Sequence, residues 1–595
     1  MTITLPRLRF LAPLFAASVF CASALGGYFS SGSAGVLTAC FLLLLLTAAV
    51  RPTRREWGVG AIPAALFAFF RTVGYSYDTT DSSDLLLKNA QTMLRGAAAM
   101  AALFAAALCA VVLLFRLLDA LRAHAQSGAP ATQKEKRRLF WLCAGLIFAG
   151  SIPYLLLYAP GLNIYDTHDQ ILQFFGFPSY IGDGSALSDH HPVFLTLIYG
   201  GFMKLGLLLG DANIGQLLYS LLSMAALAVC WAYALVTLRE AGLARGAVIG
   251  LALFVALYPV LALYAFNMCK DVSVEPFVLL YGTMMFRLYA SHGRAAQSGR
   301  FCAGLFAVAL MMMLTRKPAM YALCFAALFL LLGYPGVRAR LAGALLGAAA
   351  VFAVLYNGLL LPALGVIPGE TREMLSVPFQ QTARFVSEYA SEVTDEERAA
   401  IDGVLVYDEL AKRYQPELSD PVKAMYRKTA TPRDWLAYGQ AWASQMIRHP
   451  GCYLSATIIQ NALLFDVSTY NLAIFTGTGL STQEEEALDI HRSGTLTRLE
   501  KMESSLRQVA LVLPFALQLN TLGFYCAVLL GACAIACSRK ARGMLTILLP
   551  QMLTMAVILC GPCIEHQDRY GFPVIYLMPL ALAALSCALR RTQRD

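Results

Sequence analysis

Residues 191–209 read HPVFLTLIYGGFMKLGLLL, and the placement of this stretch decides the topology of everything after it. It is long enough to cross a bilayer, whose hydrocarbon core takes about 20 apolar residues in a helix. The basic residues argue against a crossing. They cluster in short loops between apolar runs: Arg51, Arg54 and Arg55, then Lys134, Lys136, Arg137 and Arg138, then Arg239 with Arg245. Further along come Arg294 with Arg300, Arg338 with Arg340, Arg539, Lys540 and Arg542, and finally Arg590, Arg591 and Arg594. Cytoplasmic loops collect Lys and Arg. If 191–209 crossed, the Arg239/Arg245 loop and every later basic loop would change sides. A helix lying flat at the outer interface keeps them all inside.

With the positive loops held inside, the chain reads as an all-α polytopic integral membrane protein of about 14 transmembrane helices. The span cores fall at 10–26, 35–50, 57–71, 97–118, 139–158, 213–237 and 247–265, then at 272–289, 302–316, 319–334, 341–363, 517–537, 543–562 and 572–589. Both termini are cytoplasmic in this topology. The first outer loop, 159–212, carries interfacial helices. A larger outer segment, 364–516, mixes charges of both signs, among them Glu396, Glu397, Arg398, Lys412 and Arg413, which suits a solvated helical subdomain. The chain divides accordingly into a four-helix membrane region of no assigned role (1–138), a membrane core (139–363), the outer helical segment (364–516) and a three-helix membrane region (517–595).

Composition excludes the soluble alternatives. Hydrophobic residues make up 58% of the 595 and charged residues 14%, with a mean hydropathy of +0.60, whereas a soluble surface needs roughly a quarter of residues charged. The formal charge of +9 sits in the cytoplasmic loops, so it marks topology and implies no nucleic-acid partner. Most of the fifteen cysteines lie inside apolar runs, where a thiol behaves as a small hydrophobe. Cys560-Gly-Pro-Cys563 spells a dithiol motif but ends an apolar span, without the βαβ setting redox chemistry uses. Arg7 and Arg9 precede an apolar run ending near Ala22-Ser23-Ala24. That run is read as a retained first span, because cleavage there would break the loop alternation. The sequence holds no Asn-x-Ser/Thr acceptor, which favours a bacterial plasma membrane.

Three polar clusters share the outer side. The first loop holds Asn163, Asp166, His168, Asp169 and Gln170, followed by Ser188, Asp189, His190, His191 and Pro192. A short turn carries Asn267, Lys270 and Asp271, and the last loop carries Glu565, His566, Gln567, Asp568, Arg569 and Tyr570. Arg316 and Lys317 add positive charge at another outer end, against the inside rule. One such cluster is ordinary helix-end polarity. Ionisable groups gathered on one side of a membrane mark a cavity and a functional site. Adjacent His190 and His191 lack the i, i+4 spacing that puts two imidazoles on one ion.

These residues resemble the GT-C-type superfamily of integral membrane glycosyltransferases, and more closely an uncharacterised bacterial membrane family related to it. The matching pieces are Tyr158-Ala-Pro-Gly161, Tyr165-Asp166, Asp189-His-His-Pro192, Lys270-Asp271, Met374 to Arg384, and the late Arg569-Tyr570-x-x-Pro573. The resemblance runs from about residue 139 to the end. It implies transfer of a sugar, with inversion, from a polyprenyl-phosphate or pyrophosphate donor to an extracytoplasmic glycan, lipid or protein acceptor in the cell envelope. Asp166, or else Asp169, would be the general base. Lys270 and Arg569, with Arg316, would clamp the lipid phosphate. His190, His191, Asp271, His566 and Tyr570 would contact substrate, and Glu565 or Asp568 would hold sugar hydroxyls. The donor tail would lie among the helices and membrane lipids. The resemblance fixes no cofactor, and a divalent metal is left open. Aromatic residues of the outer segment, such as Tyr389, Tyr407, Tyr414, Trp435 and Trp442, either stack on sugars or form that segment's core. The rival class is a transporter or lipid flippase. It would place its charges near the bilayer midplane on broken helices within inverted repeats, and neither feature is visible.

Overall fold

The computed structural model describes residues 11–29, 33–123, 131–179, 182–369, 371–468, 505, 518–539, 542–561 and 568–591. Among these the chain is all-helical. Regular strand is confined to Leu162–Asn163 and Asn267–Met268, which pair with each other. Seven helices are long and apolar enough to cross a membrane: Ser33–Val50, Arg54–Thr80, Ala90–Leu121, Gln133–Leu157, Ala212–Glu240, Pro335–Ala363 and Arg569–Leu589. Shorter apolar helices lie between them, including Gly299–Thr315, Ala319–Gly333, Leu522–Ser538 and Leu545–Cys560. The protein is a helical membrane protein. Over its described residues each of the fourteen expected span cores is largely helical, but only seven helices among the described residues are long and apolar enough to span. Run 247–265 breaks at Tyr258, where Pro259 starts a new helix, since a proline fits the first turn of a helix and not its interior.

A soluble helix hides one apolar face; these helices are apolar on both. In Ala319–Gly333, Leu323, Ala326 and Leu330 are buried while Phe325, Leu328, Phe329 and Leu332 stay exposed, as expected where lipid replaces water. The main core joins Trp231 and Leu235 of helix 212–240, Leu279 and Met285 of Glu275–Ala290, Leu305 of helix 299–315, and Leu577 and Leu585 of the last helix. A second cluster packs the first helices together through Cys21, Cys40, Phe67 and Leu103.

The pivotal stretch forms the helix Val193–Leu208, which folds back on helix 212–240 through a short turn. Glycine makes that hairpin close. A Cβ on Gly215 would lie 2.0 Å from the Phe202 carbonyl oxygen, and one on Gly206 would lie 2.4 Å from the Gly215 nitrogen.

Residues 376–461 form a helical subdomain, as the mixed charges of that segment predict. Its helices Asp395–Asp402 and Pro432–Arg448 both start with capping boxes, Thr394 with Glu397 and Thr431 with Asp434. These satisfy first-turn N–H groups that no helical carbonyl reaches. The core of the subdomain is Phe379, Ile401, Leu405, Leu410, Val422 and Tyr438, with Tyr407, Tyr414 and Trp435 packed on it. Tyr389 and Trp442 pack on Phe385 and Tyr453. All five aromatics that were candidates for sugar stacking therefore serve as packing.

The first helices, which sequence left without a role, hold this subdomain. Arg384 donates to the Asp81 carboxylate at 2.6 Å and to the Asp81 carbonyl at 2.9 Å, and its Nε lies 2.7 Å from Glu388. Asp81 closes the helix Arg54–Thr80 in a left-handed conformation, φ 51°. Arg384→Met is expected to loosen the subdomain by about 1.5–3 kcal/mol, the usual worth of hydrogen bonds between charged groups. Denaturation in detergent and faster proteolysis within 376–461 would register it. A variant as stable and as protected as the wild type would mean that Asp81 is not an anchor.

Candidate functional site

The two short strands run parallel, with Leu162 opposite Asn267 and Asn163 opposite Met268. Helix Tyr165–Phe175 starts directly after the first strand, and a short helical turn, Lys270–Ser273, starts directly after the second. Two loops distant in sequence thus deliver Asp166 and Lys270 to one point. Thr167 reinforces the pairing by donating to the Met268 carbonyl at 2.5 Å. Gly161 permits the approach: its φ is +151°, and a Cβ there would sit 2.1 Å from Ser220 Oγ.

At that point Asp166, 5% exposed, places Oδ2 2.8 Å from Lys270 Nζ and 3.2 Å from Arg569 Nη1. Arg569 comes from the start of the last helix. Its guanidinium lies between two rings, 5.0 Å from the Tyr165 centroid and 5.1 Å from that of Tyr570. It is also 4.0 Å from Asp271 Oδ2. Arg316 binds the other Asp271 oxygen at 3.2 Å and donates to the Tyr570 carbonyl at 3.1 Å. Lys317 binds the Asp189 carboxylate at 3.0 Å and its backbone carbonyl. Burial pushes the Asp166 carboxyl up, but Lys270 and Arg569 outweigh it and hold the group well below the usual carboxylate range. Burial, helped by Lys270, pushes His191 well below its ordinary value. The imidazole is therefore neutral. Its Nδ1 lies 3.2 Å from Lys270 Nζ and, facing an ammonium, must accept, so Nε2 carries the hydrogen. Burial also lowers Lys317, with Asp189 acting in the opposite sense.

These groups line one cavity of about 690 Å³. Asp166, Asp169, His190, His191, Lys270, Asp271, Arg316, Arg569 and Tyr570, all expected from sequence, lie on its wall. Away from the charges the wall turns apolar, with Val274 and Val278, then Leu323 and Ala326, then Leu553 and Ile558. The subdomain adds Asp420 and Lys423 to the wall, and the turn before it adds Arg372.

A family model described as a family of unknown function, DUF6020, matches residues 181–595. The chain belongs to this family. No curated protein and no solved structure matches it. The DUF6020 match takes in Asp189, Lys270, Asp271, Arg316 and Arg569, and begins after Tyr165, Asp166 and Asp169.

Of the expected site residues, Glu565 and His566 lie outside the described residues, as do the Asp568 side chain and Cys563 of the dithiol motif. Several wall residues were missed as site residues. Lys317 and Asp189 carried a signal, the first as a cation on the wrong side of a span and the second beside the two histidines. Arg372, Asp420 and Lys423 carried none, because only the folding of the subdomain brings them to the cavity. As for a metal, no three His, Cys, Asp or Glu side chains converge among the described residues. Asp166, Asp189, Asp271 and Asp420 each turn to a cation. Among the described residues, carboxylates so interleaved with cations do not form the cluster on one point that a protein-held divalent ion needs.

Proposed function

We propose that the chain is a membrane glycosyltransferase that moves a sugar from a polyprenyl-phosphate-type donor to an acceptor at the outer face of a bacterial plasma membrane. One observation carries this reading. A single cavity of about 690 Å³ joins a cluster of cations to an apolar lane between helices 275–290, 319–333 and 545–560. That is the shape and polarity of a phosphate with a hydrocarbon tail. Sidedness follows from the basic loops, which leave this end of the bundle on the outer side.

The chemistry is a single displacement. The acceptor hydroxyl attacks the anomeric carbon and gives its proton to the Asp166 carboxylate, or to Asp169 one turn along the same helix. The bond from that carbon to the phosphate oxygen breaks with its electron pair, inverting the centre and releasing a polyprenyl phosphate. The donor phosphodiester is a monoanion and the product gains a second negative charge. Lys270 and Arg569 stand where that charge develops. Neutral His191 offers Nε2–H to the phosphate or the sugar.

The test follows transfer from radiolabelled polyprenyl-phosphate and polyprenyl-pyrophosphate sugars to a panel of acceptors, with full-length protein in detergent. Wild type should transfer, and Asp166→Asn should lose about 10²–10⁴ of the rate, the range a general base supplies. Failure of folded wild type to turn over any donor, with lipid still bound, would sink the enzyme and leave a lipid flippase.

A further inference from the structure

Lys270 and Arg569 both meet Asp166 on the same oxygen, Oδ2, at 2.8 and 3.2 Å. An ammonium and a guanidinium converging on one oxygen is the setting of a phosphate oxygen in a charge-assisted site. Here a carboxylate fills it. Neither cation depends on Asp166 for its position. Lys270 also meets His191 Nδ1 at 3.2 Å. Arg569 is held between the rings of Tyr165 and Tyr570 and has Asp271 at 4.0 Å. Asp166 itself is a short side chain in the first turn of helix 165–175, facing the cavity.

We propose that Asp166 is the resident counter-ion of the donor-phosphate site and that donor binding exchanges it. A phosphate oxygen takes the place of Oδ2 between Lys270 and Arg569, and the displaced carboxylate turns into the cavity. This rests on the lipid-phosphate reading above and adds an order of events to it. A carboxylate shared by two cations is a poor base. Once the phosphate stands between those cations, the freed carboxylate has lost contact with both and faces an anion instead, so it regains proton affinity beside the anomeric carbon. The base is switched on by the substrate whose reaction it serves, and stays off while the site is without donor.

The experiment measures binding, not turnover. The probe is a methyl polyprenyl phosphate diester, which carries the donor's charge and tail but no sugar to transfer. Asp166→Asn removes the competitor and keeps the shape, so it should bind the probe about tenfold more tightly than wild type, a change of about 1.4 kcal/mol. Lys270→Met should bind at least tenfold more weakly than wild type. The probe-induced rise in melting temperature should be larger for Asp166→Asn, and the same scan shows whether that variant is folded. Asp166→Ala provides a second competitor-free protein if it is not. Equal or weaker binding by the folded competitor-free variants, with Lys270→Met still impaired, overturns the exchange and leaves the phosphate site standing. If wild type does not bind the probe, or binds dimethyl phosphate equally well, the lipid-donor reading falls and the exchange falls with it.

Discussion

Arg569→Met should lower transfer about a thousandfold while leaving the protein folded. The size follows from position. Removing one preorganised donor aimed at developing charge costs about 10²–10³ in rate, and Arg569 also sets the approach of the phosphate by its clamp between Tyr165 and Tyr570. The fold should survive because each acid that Arg569 meets keeps another cation: Asp166 keeps Lys270 at 2.8 Å, and Asp271 keeps Arg316 at 3.2 Å. Loss of activity is thus separable from loss of structure. Arg569→Lys should recover little, since an ammonium has neither the planar face that lies between two rings nor the fork that reaches two partners. The measurement is the transfer rate beside melting temperature, in the same detergent. A folded Arg569→Met within tenfold of wild type would remove Arg569 from the site's chemistry.

What the sequence made legible was the helical membrane class and which polar groups share one end of the bundle. The basic loops, alternating with apolar runs, located fourteen segments that are largely helical over their described residues, and they put Asp166, Lys270, Arg316 and Arg569 at one end of the bundle. Charge reports topology because moving it through lipid is costly, so this information is local and survives in a linear reading. Contacts do not. Nothing in Asn163 or Met268 announces the two-residue parallel pairing that sets Asp166 beside Lys270. Nor does Ser188 announce its bridge to Ile367, which with Gly369 tucked against the Asp189 carbonyl draws the subdomain over the cavity. The aromatic residues of that subdomain stayed two-valued in the sequence for a related reason. Trp435 and Trp442 suit a sugar or a core equally, and only packing tells them apart.

Arg71→Met should cost about 3–5 kcal/mol of stability, the usual result of stranding one member of a buried ion pair. Arg71 is 2% exposed in the middle of helix 54–80. It reaches Asp466 Oδ1 at 3.1 Å, Ser468 Oγ at 2.7 Å and the Tyr28 carbonyl at 2.9 Å. Asp466 Oδ1 also accepts from the Ser468 backbone at 2.7 Å and from its hydroxyl at 2.6 Å. The segment that carries Asp466 is threaded tightly between two helices. A Cβ on Gly523 would lie 2.1 Å from the Asp466 carbonyl oxygen, and one on Gly74 would rest on Ala462 at 3.6 Å. With methionine at 71 the carboxylate keeps its place, because the backbone is locked, but loses its cation. A double-mutant cycle isolates the pair. Arg71→Met with Asp466→Asn should recover at least 1.5 kcal/mol relative to the sum of the single variants, the scale of coupling between charges in contact. Denaturation in detergent gives all three values. A single-variant cost below about 1 kcal/mol, in the range of solvated surface pairs, would mean that water reaches Asp466. Arg71 precedes the DUF6020 match and Asp466 lies within it, so this pair ties the helices outside the matched residues to those that build the cavity. A variant that loosens residues 462–468 should therefore weaken donor binding as well, through the subdomain those residues follow, although Arg71 touches no wall of the site.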